Sequence, residues 1–209
     1  DKEYTVGILD ADLNGPSICH LLGVKNSTKL IVDDRGVQPG DGTHGIKLMS
    51  MDMLISNPDS PVMWTEEADA TAVWVSTMES TALRELLADT DWGDLDFLLI
   101  DMPPGSDRID NIRSLIPELA GVVEITIPSL LSQHIVSKSI TKNNKMKVPI
   151  IGLIENMAGY TCPHCEKEGP LFEGDDVESL AKKKNIPYLG KIPFDTRIGR
   201  KTDSGSLYY

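Results

Sequence analysis

Three stretches of this chain hold the residue types that do chemistry. Asp10-Ala11-Asp12 follows the apolar run Tyr4–Leu9, Asp101 follows Phe97-Leu98-Leu99-Ile100 and precedes Met102-Pro103-Pro104-Gly105, and Cys162-Pro163-His164-Cys165 offers two thiols. Carboxylates at the C-terminal ends of parallel strands point into the crevice where open α/β sheets take ligands. A hard cation such as Mg²⁺ takes one or two of them, keeps several waters and completes its shell with phosphate oxygens. An Asp after a strand is also an ordinary turn or helix cap. Two such Asp motifs together favour the functional reading.

Asp101, after four apolar residues and before Pro-Pro-Gly, has the form of the Mg²⁺-side Walker B carboxylate of P-loop NTPases. Gly105 would bring its backbone close to a γ-phosphate. The thiols Cys162 and Cys165 reach one metal between them, yet a mononuclear zinc site takes four ligands and an iron–sulfur cluster four cysteines. Cys19, within the helix-like Pro16–Leu22, reads as packing. The missing ligands come most economically from a two-fold related copy. A zinc knuckle using His164 and a thioredoxin-like redox pair compete with this, the second more weakly because the motif opens no helix after an early strand.

The elements that must position these residues alternate. Apolar runs at 4–9, 97–100, 122–127 and 149–154 suit strands covered on both faces, with shorter strands around 45–51 and 188–192. Helices are predicted near 79–90, 109–118, 130–145 and 175–185, and loops at 33–44 and 56–75. Met49, Met51 and Met53 alternate as strand residues do. The βα rhythm gives a doubly wound, mostly parallel α/β sheet with helices on both faces, in one domain over 1–209 that carries a CxxC metal-binding loop at about 157–172.

The bulk numbers narrow the partners. With 209 residues, 40% of them hydrophobic, one substantial core is expected. A net charge of −12 repels phosphate backbones and anionic lipid, so neither nucleic acid nor membrane is expected as a partner. No apolar run reaches a membrane span, Asp1-Lys2-Glu3 opens no signal peptide, and three cysteines make no disulfide framework, so a cytoplasmic home is expected. His20, His44 and His134 are scattered, Lys182-Lys183-Lys184 reads as a solvated helix face, and Trp64 and Trp74 flank an acidic loop without a chemical role.

Five blocks, in order, resemble the Mrp/ApbC-type ATPases, relatives of the MinD/ParA group of P-loop proteins: residues 7–18, residues 92–105 ending in Asp101-Met102-Pro103-Pro104-Gly105, residues 149–157 with Asn156, Cys162-Pro163-His164-Cys165, and Leu189-Gly190-Lys191-Ile192-Pro193-Phe194-Asp195. The resemblance implies a P-loop NTPase fold, ATP hydrolysis with Mg²⁺ in a homodimer, and transfer of a [4Fe-4S] cluster to apo iron–sulfur proteins. Asp12 is similar to the residue that orients the attacking water, Asp10 to a support of the phosphate and Mg²⁺ region, Asn156 to the reader of the adenine edge, and Pro193 to the residue against the base. Cys162 and Cys165 match the cluster ligands, with zinc as a substitute metal. A zinc-binding scaffold that does not hydrolyse ATP is the alternative. A MinD/ParA-type positioning ATPase is a further one, disfavoured by the CxxC and the acidic surface.

The chain departs from that pattern in several places. No Gly-Lys-Ser or Gly-Lys-Thr occurs, so the family's glycine-rich phosphate loop is expected to precede Asp1 by about one βα unit. The strand at 4–9 would then be the fold's second, the chain N-terminally truncated, and a last helix is expected beyond Tyr209. Trp64-Thr65-Glu66-Glu67, Ser106-Asp107-Arg108 and Thr126-Ile127-Pro128-Ser129 replace the family's usual residues in switch and surface loops.

Overall fold

In the computed structural model, residues 4–24, 30–55, 72–105, 109–162, 164–165, 167–174 and 176–206 are described. Trp64, most of the loop expected at 56–75, the Ser106-Asp107-Arg108 departure and Pro163 lie outside them. Contacts divide the chain into two units, Asp1–Pro103 with Arg197–Tyr209, and Pro104–Thr196.

The first unit begins with β1 (Val6–Asp10), a short α1 (Ile18–Leu21) and the hairpin β2 (Val32–Asp33) and β3 (Gly36–Val37). Then come β4 (Gly40–Asp41), β5 (Lys47–Met49), α2 (Ala72–Ala88) and β6 (Phe97–Asp101). Its sheet has the order β4-β5-β1-β6, with β1 parallel to both neighbours and β4 antiparallel to β5. Leu9, Leu13, Cys19, Leu48, Met49 and Leu83 are buried there.

The second unit holds α3 (Ile109–Leu115), β7 (Val122–Thr126), α4 (Leu130–Lys145), β8 (Ile150–Thr161), β9 (Glu168–Gly169), α5 (Val177–Lys184) and β10 (Tyr188–Phe194). The order is β10-β8-β7, all parallel, with β9 antiparallel to the far end of β8. Val136, Ile140, Leu153, Val177 and Ala181 form its core. After β10, α6 (Thr196–Asp203) leads back to the first unit.

The expected single sheet is thus two hydrogen-bonded sheets. Among the described residues, β6 pairs only with β1, and β7 only with β8. Phe97 and Leu99 of β6 and Val123 and Ile125 of β7 are exposed. Residues 72–75, expected in a loop, start α2, since Ala-Val-Trp-Val carries no breaker. Met51–Met53 turn as a 3₁₀ helix capped by the Ser50 hydroxyl, so the methionine alternation is a strand only as far as Met49. Among the described residues, no helix is long and apolar enough to cross a membrane.

Candidate functional site

β1 and β6 run parallel in a register that sets Asp10 beside Asp101, and the amide of Ala11 donates to the Asp101 carbonyl at 2.8 Å. Asp10 is fully buried. Its Oδ2 accepts from the amides of Ser17 (3.0 Å) and Ile18 (3.1 Å) and from the Ser50 hydroxyl (3.3 Å), and its Oδ1 accepts from the Asp12 amide (3.2 Å). Burial raises the Asp10 pKa, and those bonds pull against it. Asp10 therefore stitches the loop after β1 to the start of α1 and to Ser50, the residue that follows β5. With its oxygens engaged in this way, its part is to position its neighbours.

Asp12 is half-buried and closes a turn by accepting from the Gly15 amide at 3.1 Å. Asp101 is open to solvent on its outer side. Desolvation on the protein side, and then the charges of Asp10 and Asp12, hold its pKa above the usual carboxylate range. The charges of Asp10 and Asp12 oppose that of Asp101 at one strand end, and a cation there would relieve the repulsion. Among the described residues, no three His, Cys, Asp or Glu converge as a complete metal cage. One or two carboxylates on a solvent-open end suit Mg²⁺, which keeps waters and takes phosphate oxygens, better than a caged metal.

Gly105 has φ +107 with open space where a Cβ would stand, so the backbone after Pro103-Pro104 is bare toward solvent. In the second unit, Asn156 lies on β8 opposite Ile192 of β10, which brings it beside Pro193. The Asn156 Oδ1 accepts from the Met157 amide at 2.9 Å, and Met157 takes the left-handed φ of +54.

β8 continues past Asn156 to Thr161. Tyr160 and Thr161 pair with β9, and the Cys162 amide donates to the Lys167 carbonyl at 3.0 Å, so the CxxC sits at a hairpin tip. Cys162 is half-buried and Cys165 exposed, and both are free thiols. Backbone hydrogen bonds from His164 and Cys165, then the Cys165 side chain, hold the Cys162 thiol below its usual pKa. A lowered thiol pKa favours the thiolate, the form in which a cysteine binds a metal. Cys19 is the opposite case: fully buried, with burial pushing its pKa up to about 12, it packs as expected.

The structure thus brings Asp10, Asp12 and Asp101 together in the first unit. Asn156 comes beside Pro193, and Cys162 near Cys165, in the second. Ser50 was missed by sequence reasoning; its only signal is a hydroxyl directly after the apolar Leu48-Met49.

A family model described as NUBPL iron-transfer P-loop NTPase, of the ParA group, matches residues 1–209. The chain is 37% identical to an iron-sulfur cluster carrier protein of Methanococcus maripaludis over 97% of its own length and 66% of that protein's. It is 34% identical to a cytosolic Fe-S cluster assembly factor NUBP2 homolog of Dictyostelium discoideum, over 99% of this chain and 76% of that one. Among solved structures it is similar to a nucleotide-binding protein of Archaeoglobus fulgidus in complex with ADP, with cobalt found by PIXE. The TM-score is 0.74 and the identity 32%, over 98% of this chain and 75% of that one. MinD of Pyrococcus horikoshii, at TM-score 0.55 and 18% identity over 98% of this chain and 74% of that one, shares the fold. The chain spans about two-thirds of the length of the iron–sulfur carriers it matches.

Proposed function

Because this chain belongs to the NUBPL iron-transfer P-loop NTPase family, we propose that its protein is a cytoplasmic, ATP-hydrolysing carrier that holds a [4Fe-4S] cluster between two copies and passes it to apo iron–sulfur proteins. The observation that carries this is the hairpin tip, where two free thiols stand with backbone donors already turned toward Cys162. Four thiolates hold a cluster, and each copy brings two.

At the acidic strand end, Asp101 would hold Mg²⁺, whose charge would stabilise the phosphate oxygens as they become more negative. Asp12, half-buried beside it, orients the attacking water, and Asp10 fixes the loop that carries Asp12. Gly105 gives its bare backbone to the γ-phosphate side. Asn156 reads the adenine edge, with Pro193 against the base. The carrier and assembly names of the relatives and the ADP in the Archaeoglobus structure support this reading.

The full-length protein, purified anaerobically with iron and sulfide, is expected to show broad visible absorption with about four irons per dimer. Cys162→Ser and Cys165→Ser each abolish it. A colourless dimer loaded with zinc overturns the carrier reading in favour of a structural metal.

A further inference from the structure

The C-terminal half of α4 carries a basic stripe on the side away from its core. At 100° per residue, Lys138, Lys142 and Lys145 fall within about 60° of one another, and the buried Gln133, Val136, Ile140 and Asn143 lie opposite them. α5 adds to the stripe. The Lys184 ammonium donates to the Ser137 carbonyl at 3.4 Å and to the Thr141 hydroxyl at 3.3 Å, so the Lys182-Lys183-Lys184 end of α5 lies beside α4.

The acids of the neighbouring elements are largely engaged. Asp110 of α3 holds Lys142 at 2.7 Å, and Glu178 of α5 holds Lys182 at 2.7 Å. Glu124 of β7 is half-buried on Ser139 and Asn143, and Asp176 caps the opposite end of α5. Exposed Glu118, in the turn before β7, remains. Among the described residues, the exposed Lys138, Lys145, Lys147 and Lys183 form no ion pair. In a chain of net charge −12, this is a local reversal of sign.

Helix dipoles explain only part of it. Cations are favoured in the last turn, which accounts for Lys142, Lys145 and the α5 lysines. Lys138 stands two turns before the end of α4, and Lys147 lies past it. Lys147 also has φ +57, at a helix end where glycine fits without steric cost. A lysine there supplies charge at the expense of local fit.

We propose that Lys138, Lys145, Lys147 and Lys183 form a docking face for an acidic segment of a partner protein. From Lys138 to Lys145 the helix rises about 10 Å, which an extended segment of about four residues spans. A short acidic segment places its charge on this face alone, whereas a duplex or a membrane also sets its charge against the acidic remainder of the molecule. Attraction at one face and repulsion elsewhere orient the encounter. Neither the thiols nor a nucleotide takes part in it.

The test titrates the full-length protein at low salt with a fluorescent oligoglutamate of about ten residues, a DNA duplex of about twenty base pairs, and phosphatidylserine vesicles. The wild type is expected to bind the oligoglutamate, and more weakly as salt rises. Lys138→Gln/Lys145→Gln should weaken that binding about tenfold. Arg200→Gln/Lys201→Gln on α6, which removes the same charge elsewhere, should change it less than about twofold. Lys147→Gly separates charge from fold: it should weaken binding while raising the melting midpoint by about 2 to 4 °C. Absence of oligoglutamate binding, equal loss in the two double variants, or wild-type binding by Lys147→Gly overturns the face. Tighter binding of the duplex or the vesicles overturns a protein segment as its occupant.

Discussion

Glu124 on β7 shows what one half-buried carboxylate costs. Its Oε1 accepts from the Ser139 hydroxyl at 2.8 Å and the Asn143 amide at 2.7 Å, while the Asn143 Oδ1 is buried without a partner. Burial raises the Glu124 pKa, and the two hydrogen bonds lower it less than burial raises it. A carboxyl with its folded pKa above the unfolded value is bound most favourably when protonated. Its ionisation therefore subtracts stability as pH rises past about 4.5. Glu124→Gln keeps the accepting oxygen and adds a donor for the orphaned Asn143 oxygen. It is expected to gain about 1 kcal/mol at pH 7 and much less near pH 4 in urea unfolding followed by circular dichroism. Equal gains at both pH values would show that ionisation of Glu124 is not their source. Nothing in the sequence marks this cluster, because its members are 15 and 19 positions apart and meet only once α4 folds onto β7. The aspartates were legible for the converse reason: each directly follows an apolar strand, so local order places it.

Among the elements, α4 matches the sequence reading because Ser129 caps it, accepting from the Ser132 amide, and no Gly or Pro interrupts 130–145. β8 runs seven residues beyond the predicted Ile154. Its continuation, Glu-Asn-Met-Ala-Gly-Tyr-Thr, lacks an apolar run and is held instead by β10 and β9, with a register shift before Phe194. α6 was invisible, since Ile198 is the only apolar side chain in Thr196–Asp203 apart from a glycine. α5 survives at eight residues through its ends. The Asp176 carboxylate accepts from the Glu178 and Ser179 amides, Asn185 closes the helix at φ +53, and Lys182–Lys184 stand at the negative end of the dipole. Asp176→Ala is expected to cost about 1 kcal/mol and to speed amide exchange across α5, while α2 is unaffected. Unchanged exchange in α5 would remove the cap from this account.

At the scale of the whole molecule, ligand and fold oppose one another at Asp101. Its raised pKa means that its charge at neutral pH works against folding, an effect absent below the ordinary carboxylate range. Solvent screens it, so Asp101→Asn is expected to raise the melting temperature of the ligand-free protein by only about 2 °C. MgATP at a hundred times its Kd should stabilise the full-length wild type by about 2.7 kcal/mol and the variant by far less. A variant with no rise of its own and a full nucleotide shift would show that Asp101 carries neither burden. The fold class was readable from the βα rhythm. The division into two sheets was not, because strand adjacency is set by pairing partners and not by any strand's own sequence. The hydrogen-bonded hairpin beyond Asn156 has a further consequence for delivery. On the proposed carrier reading, a cargo at Cys162 and Cys165 would be mounted on a post whose base pairs with β10 and β9, and recipients would bring their own acceptor residues to it. Lengthening the post by a two-residue insertion should then change which recipients can be served, while the cargo itself stays bound.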